Sequence, residues 1–113
     1  MTRSLRPGRP ARGTHTGRPI MVLLDLLGRR WTLRILWELR AAHLTFRALQ
    51  AACDEVSPTV LNARLHELRE SALVAVDDKL GYGLTLLGAE LVQRFVPLVA
   101  FSEKWARELP GAS

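Results

Sequence analysis

The side chains with the clearest capacity for chemistry lie on one predicted helix, residues 57–71. At about 100° per residue, one side of this helix carries Thr59, Asn62, Ala63 and His66, which are small or form hydrogen bonds. An asparagine amide can bind the edge of adenine through two hydrogen bonds, a threonine or alanine methyl can meet the methyl group of thymine, and a histidine can reach a base or a phosphate. These four residues are therefore predicted to form a base-reading face in a DNA groove.

The rest of this helix supplies an apolar stripe and flanking charges. Three leucines cluster within about 60° and are expected to face a core: Leu61, Leu65 and Leu68. Arg64 lies beside this stripe, and two roles are open for it, a contact to a DNA phosphate or an ion pair with a carboxylate inside the fold. Glu67 and Glu70 are predicted on the outer face near the C-terminal end, away from the groove.

Residues around the base-reading face are expected to contact phosphates. Ser57 is a preferred N-cap and Pro58 suits the first helical position, so the helix is predicted to begin there. Its free N–H groups can meet a phosphate. Arg47, on the preceding short helix, and Lys79, in a later turn, are candidate cationic contacts.

Catalytic and metal-binding chemistry find no support in the sequence. His15, His43 and His66 share no metal-like spacing with one another or with Cys53. The sequence also lacks a glycine-rich phosphate loop, a nucleophile elbow and a catalytic carboxylate pair. Acidic residues follow Cys53 directly and would raise the pKa of its thiol, which favours a buried structural cysteine over a redox sensor. We therefore expect no enzyme, no metal and no cofactor.

The positive charge is confined to one end of the chain. The net charge is +5, from 16 basic and 11 acidic residues, and residues 1–19 contain five arginines and no acid, so the remainder is neutral. This arm is rich in Pro and Gly and is predicted to be disordered. Its stretch from Arg6 through Arg9 to Pro10 resembles the Gly-Arg-Pro core of an AT-hook, which predicts contacts in a narrow minor groove. The alternative is a leader without function.

The predicted elements follow one another in a recognisable order. They are helices over about Pro19–Leu27 and Arg30–Ala41, an extended stretch at His43–Phe46, a helix over Arg47–Cys53, the helix from Ser57 to about Ser71, strands over Leu73–Val76 and Tyr82–Thr85, and a long helix over Leu86–Leu109 kinked at Pro97. This order predicts a mainly α fold with a small β-hairpin, a winged helix-turn-helix over residues 20–113 that follows the arm.

The last predicted helix is apolar on more than one face, more than a single small domain can cover. Together with the first helix it is expected to form a twofold dimer interface through six residues: Met21, Leu24, Leu91, Phe95, Leu98 and Trp105. Five aromatic residues can line a pocket for a small-molecule effector between the dimer helices, or simply belong to core and interface: Trp31, Trp37, Phe95, Phe101 and Trp105.

The segment Leu26–Trp31, Leu-Leu-Gly-Arg-Arg-Trp, resembles the opening of the HxlR-type branch of the MarR-like regulators. The similarity spans about residues 20–107 through Phe46, Leu49, Ser57, Leu61, Arg64, Leu65, Tyr82, Thr85, Gly88, Pro97 and Trp105. It implies a winged-helix repressor or activator that dimerises through its terminal helices, and we expect a repressor.

Two features depart from that family's pattern. The wing, residues 76–81, is short and holds two acids and one lysine. Redox-sensing members carry a cysteine before the first helix, whereas the corresponding position here is near Gly17.

The neutral body and the acidic wing keep one alternative open, a winged-helix module that binds protein and has no specific affinity for DNA. No apolar run approaches the roughly 18 residues that span a bilayer. We therefore expect a cytoplasmic, nucleoid-associated protein without a membrane partner.

Overall fold

The computed structural model describes residues 17–111, and within them the chain forms six helices and one antiparallel hairpin. The elements are α1 Pro19–Leu27, α2 Thr32–Glu38, α3 Phe46–Ala52, α4 Pro58–Glu70, β1 Val74–Asp77, β2 Gly81–Leu84, α5 Leu86–Gln93 and α6 Pro97–Glu108. The fold is mainly α with a small hairpin. It is the predicted winged helix-turn-helix, in which α3 and α4 form the helix pair and the hairpin forms the wing.

Local sequence signals determine where several helices begin. Thr45, Ser57 and Thr85 precede α3, α4 and α5, and each side chain accepts the backbone N–H three residues further on, at 3.1, 3.2 and 2.9 Å. Such caps satisfy N–H groups that have no partner inside the helix. A proline opens each of α1, α4 and α6, where its missing N–H costs no hydrogen bond.

The core forms where α2, α3 and α4 meet. Leu61 and Leu68 of α4 are fully buried and Leu65 is 2% exposed, so the three leucines predicted to face the core do so. They belong to the same cluster as Ile35 of α2 and Leu49 of α3, which are also fully buried. Burial of each such side chain stabilises the fold by about 1.5–3 kcal/mol.

The wing is a short ladder to which a third segment adds one bridge. Strand β1 pairs with β2 from Val74 opposite Leu84 to Asp77 opposite Gly81. The predicted extended stretch at 43–46 contributes one residue, because Leu44 exchanges two backbone hydrogen bonds with Tyr82 at 2.9 and 2.7 Å. This bridge attaches the wing to the segment before α3.

Glycine at position 81 allows this close pairing. Gly81 has φ +94°, and an added Cβ would lie 2.4 Å from the carbonyl oxygen of Leu44. A side chain there would therefore be strained both by its own backbone and by its neighbour.

Two predicted helices have different bounds in the structure. Helix α2 begins later than predicted because Trp31 has φ 77°, a left-handed conformation that ends any helix running from Arg30. The predicted long helix is divided into α5 and α6. Pro97 has no N–H to continue the α-helical pattern, and Phe95 and Leu98 instead donate to carbonyls three residues back, each at 2.8 Å.

Candidate nucleic-acid interface

The base-reading face lies entirely on the outer side of α4. Thr59, Asn62, Ala63 and His66 are exposed, while the leucines on the other side of the helix are buried. The ring of His66 contacts the Glu70 carboxylate one turn further on, which leaves the acidic residue at the C-terminal end of this face, as predicted. The four side chains are thus held on one surface by a helix that the core anchors.

Two of the residues predicted to contact phosphates, Ser57 and Pro58, lie at the start of α4. Ser57 and Pro58 are exposed, and the Ser57 hydroxyl caps the helix. The preceding turn is tight, since Asp54 and Glu55 both have positive φ, 56° and 57°. Arg47 is exposed on α3. The N-terminal end of α4 is therefore open to a ligand.

Arg64 is engaged within the fold. Its Nε donates to the carbonyl oxygen of Arg30 at 2.8 Å, and its Nη1 lies 3.2 Å from both carboxylate oxygens of Glu67. The side chain is 22% exposed. Of the two roles left open by the sequence, these contacts favour the ion pair inside the fold.

The prediction that Glu67 lies on the outer face is wrong. Its side chain is 11% exposed, and one carboxylate oxygen lies 3.0 Å from Nη1 of Arg29, in the turn after α1. Position 67 lies on the flank of α4 that faces Arg29, in the turn after α1, and this packing cannot be inferred from the periodicity of α4 alone. Glu67 is thus a structural partner of Arg29 and Arg64 that the sequence analysis missed.

The wing presents mixed charge. Asp77, Asp78 and Lys79 are all exposed in the hairpin turn. One carboxylate oxygen of Asp77 accepts the backbone N–H groups of Lys79 and Leu80, both at 2.8 Å, and these hydrogen bonds lower the pKa of Asp77, with Leu80 contributing most. The carboxylate therefore stays ionised near neutral pH and opposes the approach of a polyanion. Arg6 and Arg9 of the arm lie outside the described residues.

Cys53 is fully buried in the core. Burial raises the pKa of its thiol; the nearby Arg34 lowers it, and the carboxylates of Glu38 and Asp54 raise it. Among residues 17–111, no group of His, Cys, Asp and Glu side chains is arranged to hold a metal ion.

A second surface is apolar and lies on the terminal helices. Of the six residues predicted at a dimer interface, Leu24, Leu98 and Trp105 are 53%, 58% and 55% exposed, and the others, Met21, Leu91 and Phe95, are half-buried. Within the described chain, α6 buries no side chain. A groove of about 640 Å³ runs between α1 and α5 and is lined largely by leucines.

The aromatic residues proposed for an effector pocket do not converge in the protomer. Phe95 lines the groove between α1 and α5. Trp37 lies under the guanidinium of Arg40, whose Cζ is 4.0 Å from the centre of the ring. Trp31 lies near the guanidinium of Arg30. An effector pocket formed by all five aromatics stays a prediction. No helix of the described chain is long and apolar enough to cross a membrane.

The fold is a winged helix-turn-helix, a class of fold that DNA-binding transcriptional regulators use. The family model described as HxlR-like helix-turn-helix matches residues 26–110. The chain belongs to this family, as the resemblance predicted, and the proteins it resembles are transcriptional regulators.

Solved structures agree with this assignment. The quinone-bound YodB of Bacillus subtilis is 28% identical to this chain, with a TM-score of 0.69. The match covers 76% of this chain and 97% of the YodB chain. A protein assigned to the MarR family from Enterococcus faecalis V583 is 25% identical over 88% of this chain and 96% of its own, with a TM-score of 0.69. A protein assigned to the HxlR family from Thermoplasma volcanium GSS1 is 24% identical over 88% and 95%, with a TM-score of 0.70. No curated protein matches this chain.

Proposed function

We propose that this protein is a homodimeric, sequence-specific DNA-binding repressor that inserts α4 into the major groove. The observation that carries the proposal is the division of α4 into two sides. Leu61, Leu65 and Leu68 anchor the helix in the core, and the opposite side presents exposed hydrogen-bonding groups. Asn62 is the residue best suited to a bidentate contact with adenine, and Thr59 and Ala63 supply methyl groups for thymine.

Dimerisation is supported by the exposed apolar surface of the terminal helices. In the described chain α6 packs no side chain into the protomer, yet it carries Leu98, Phe101 and Trp105 on about one side. A twofold interface through α1, α5 and α6 covers this surface. It also places two copies of α4 in successive major grooves, about 34 Å apart, so the operator is expected to be a palindrome.

Phosphate contacts complete the proposed interface. The residues proposed for them are all exposed: Ser57 and Pro58 at the start of α4, Arg47 on α3 and Lys79 in the wing. Arg64 is assigned to the fold because its donors already bind the carbonyl of Arg30 and the carboxylate of Glu67. The family resemblance allows a repressor or an activator. We propose a repressor because a dimer on its operator excludes other proteins from the same DNA.

The arm is proposed to supply minor-groove contacts that the acidic wing does not. Arg6 and Arg9 are the residues proposed to lie in the groove.

Deletion of residues 1–16 tests the proposed role of the arm. It leaves Arg18 in place, whose carbonyl accepts hydrogen bonds from the backbone N–H groups of Met21 and Val22 at the start of α1. We expect about a tenfold loss of affinity. The slope of log affinity against log salt should also decrease by about 0.9 for each phosphate that the shortened protein no longer neutralises. Unchanged affinity and slope would favour the leader without function.

Selection of duplexes from a random-sequence pool tests the main proposal. The full chain should enrich a palindromic sequence and bind it at least about a thousandfold more tightly than a scrambled duplex, with a steep salt dependence. A reporter promoter that carries the selected sequence should be silenced when the protein is supplied. If no sequence is enriched and the salt slope is near zero, the protein-binding module becomes the better description.

A further inference from the structure

We propose that Glu67 is a positioning residue that fixes the rotation of α4 relative to α1 and thereby sets the angle at which the base-reading face meets DNA. This inference rests on the proposed function. It assigns a role in recognition to a residue that does not itself face the groove. It is carried by a chain of charged contacts, the Glu67 network, formed by Asp25, Arg29, Glu67 and Arg64.

The first half of the network joins α1 to α4. Nη2 of Arg29 lies 2.9 Å from the carboxylate of Asp25 in α1, and Nη1 of the same guanidinium lies 3.0 Å from the carboxylate of Glu67. The side chains of Arg29, Asp25 and Glu67 are 15%, 14% and 11% exposed. A planar guanidinium with two carboxylate partners has a defined orientation, and limited exposure to water strengthens both pairs.

The second half returns from α4 to the segment before α2. Glu67 also pairs with Arg64, one turn back on the same helix, and Nε of Arg64 donates to the Arg30 carbonyl at 2.8 Å. Charges alternate in sign along the network and sum to zero. Each charged side chain therefore has a neighbour of opposite charge. Removal of one charge leaves its partly buried neighbour with less compensating charge.

Three sectors of α4 show why this matters for recognition. At about 100° per residue, the leucine stripe and the base-reading face occupy two sectors, and positions 64 and 67 fall in the third. The hydrophobic effect has no preferred direction. The leucine stripe therefore fixes how deeply α4 sits in the core more strongly than it fixes the rotation of α4 about its own axis. Charged hydrogen bonds are directional and oppose rotation. Base contacts require side chains held within about 10–20° of their productive geometry.

The helix to which the Glu67 network attaches α4 is also relevant to dimerisation. Helix α1 lies on the surface proposed for dimerisation, with Leu24 exposed there. The Glu67 network therefore connects the helix that relates the two protomers to the helix that contacts bases. A dimer must place two copies of α4 at one fixed separation, and rigid attachment of α4 to α1 meets that requirement.

Binding of the full-length Glu67→Gln variant, to the duplex that the wild type selects and to a scrambled duplex, tests the inference. We expect the dissociation constant for the selected duplex to rise about tenfold, since base contacts lose their alignment. Affinity for the scrambled duplex, the salt slope and the dimer dissociation constant should stay within about twofold, because phosphate contacts tolerate rotation. Glu38→Gln is the matched control. It breaks an ion pair with Arg34, at 2.8 Å, inside α2 alone and should leave both affinities unchanged.

A second variant helps to distinguish lost alignment of α4 from a folding defect caused by Glu67→Gln itself. Arg64→Met keeps an unbranched aliphatic stem, removes the guanidinium and so breaks the other side of the network, and it should show the same selective loss. In the double variant Glu67→Gln with Arg29→Gln, the loss should be smaller than the sum of the single losses, because both residues act through one contact. Unchanged affinity for the selected duplex in Glu67→Gln and Arg64→Met, equal losses on both duplexes, or additive losses would overturn the inference. If the wild type selects no sequence, the proposed function fails and this role fails with it.

Discussion

Helices α4 and α6 are built alike and lie in opposite environments. Both open with a proline, Pro58 and Pro97, and they are 13 and 12 residues long. Helix α4 buries three leucines and exposes polar groups. In the described part of the chain α6 buries nothing and exposes its apolar residues, with Leu98 and Phe101 58% and 59% accessible.

The difference shows which part of the molecule is complete in one protomer. A helix of about 12 residues is marginal in water on its own and depends on packing of its apolar side. Helix α4 finds that packing within its own chain, so its outer side is available for chemistry. Helix α6 does not, and we propose that a second protomer packs against its apolar side. Folding of α4 and ordering of α6 should therefore respond to different substitutions.

The largest expected effect is a difference in stability between the same leucine-to-alanine substitution in α4 and in α6. Leu65→Ala removes a buried side chain of α4 and should lower the free energy of unfolding by about 2–5 kcal/mol. Leu98→Ala removes an exposed side chain of α6 and should leave unfolding of the monomer within about 0.5 kcal/mol. Urea denaturation at low protein concentration measures both. Similar losses in the two variants would contradict the contrast.

The next effect concerns the apolar side of α6. Trp105→Asp should weaken the dimer by about 2 kcal/mol or more, since buried tryptophans dominate interface energies and a carboxylate there would be desolvated. Sedimentation equilibrium at micromolar concentration should show mostly monomer. Glu103→Ala, on the polar side of the same helix, is the control and should leave a dimer. A wild type that sediments only as a monomer would refute the assignment of this surface.

A smaller effect is expected on the outer side of α4. Asn62→Ala should lose about 1–3 kcal/mol of binding energy on the selected duplex, because a bidentate contact to a base disappears. Stability and dimerisation should hold, since the side chain is exposed. Fluorescence anisotropy titrations on selected and scrambled duplexes check this. An equal loss on both would mean that Asn62 does not read sequence.

The smallest effect concerns the wing, which belongs to neither helix. Since folding lowers the pKa of Asp77, its carboxylate stabilises the fold above the ordinary aspartate pKa of about 3.9, and this contribution is lost as the pH falls through the lowered folded value. Asp77→Asn keeps an acceptor for the turn but cannot ionise. The Tm difference between wild type and variant should be small at neutral pH and vanish in acid. A difference that grows on acidification would show that the turn does not act this way.

Local signals made much of the fold predictable. The Ser57–Pro58 pair marks the start of α4, the leucine spacing gives its buried side, and the alternation around residues 73–85 gives the hairpin. Each depends on residues close in sequence, where capping, periodicity and turn chemistry act directly. The exposure of Thr59, Asn62, Ala63 and His66 could be predicted for the same reason, since they lie opposite the buried stripe, and their contact with bases stays a prediction.

Contacts between distant residues were not accessible in this way. The pairing of Arg29 with Glu67 joins positions far apart in the chain. The periodicity of α4 places Glu67 on a different side from the exposed Glu70, but it does not show which part of the chain covers that side. The left-handed conformation of Trp31 has no composition signal, because it is imposed on a residue type that rarely adopts it. Pro97 signalled an interruption, but a kink and a division into two helices look the same in sequence.

The burial of Cys53 makes its thiol a native probe of how often the core opens. It is the single cysteine of the sequence, and its side chain is inaccessible in the folded protein. A thiol reagent can therefore modify it only during the moments when α3 separates from its neighbours. The labelling rate, divided by that of an unstructured cysteine peptide, measures the fraction of time that the core stands open. Because the thiol is native, the opening of the DNA-bound and free proteins can be compared without altering a residue.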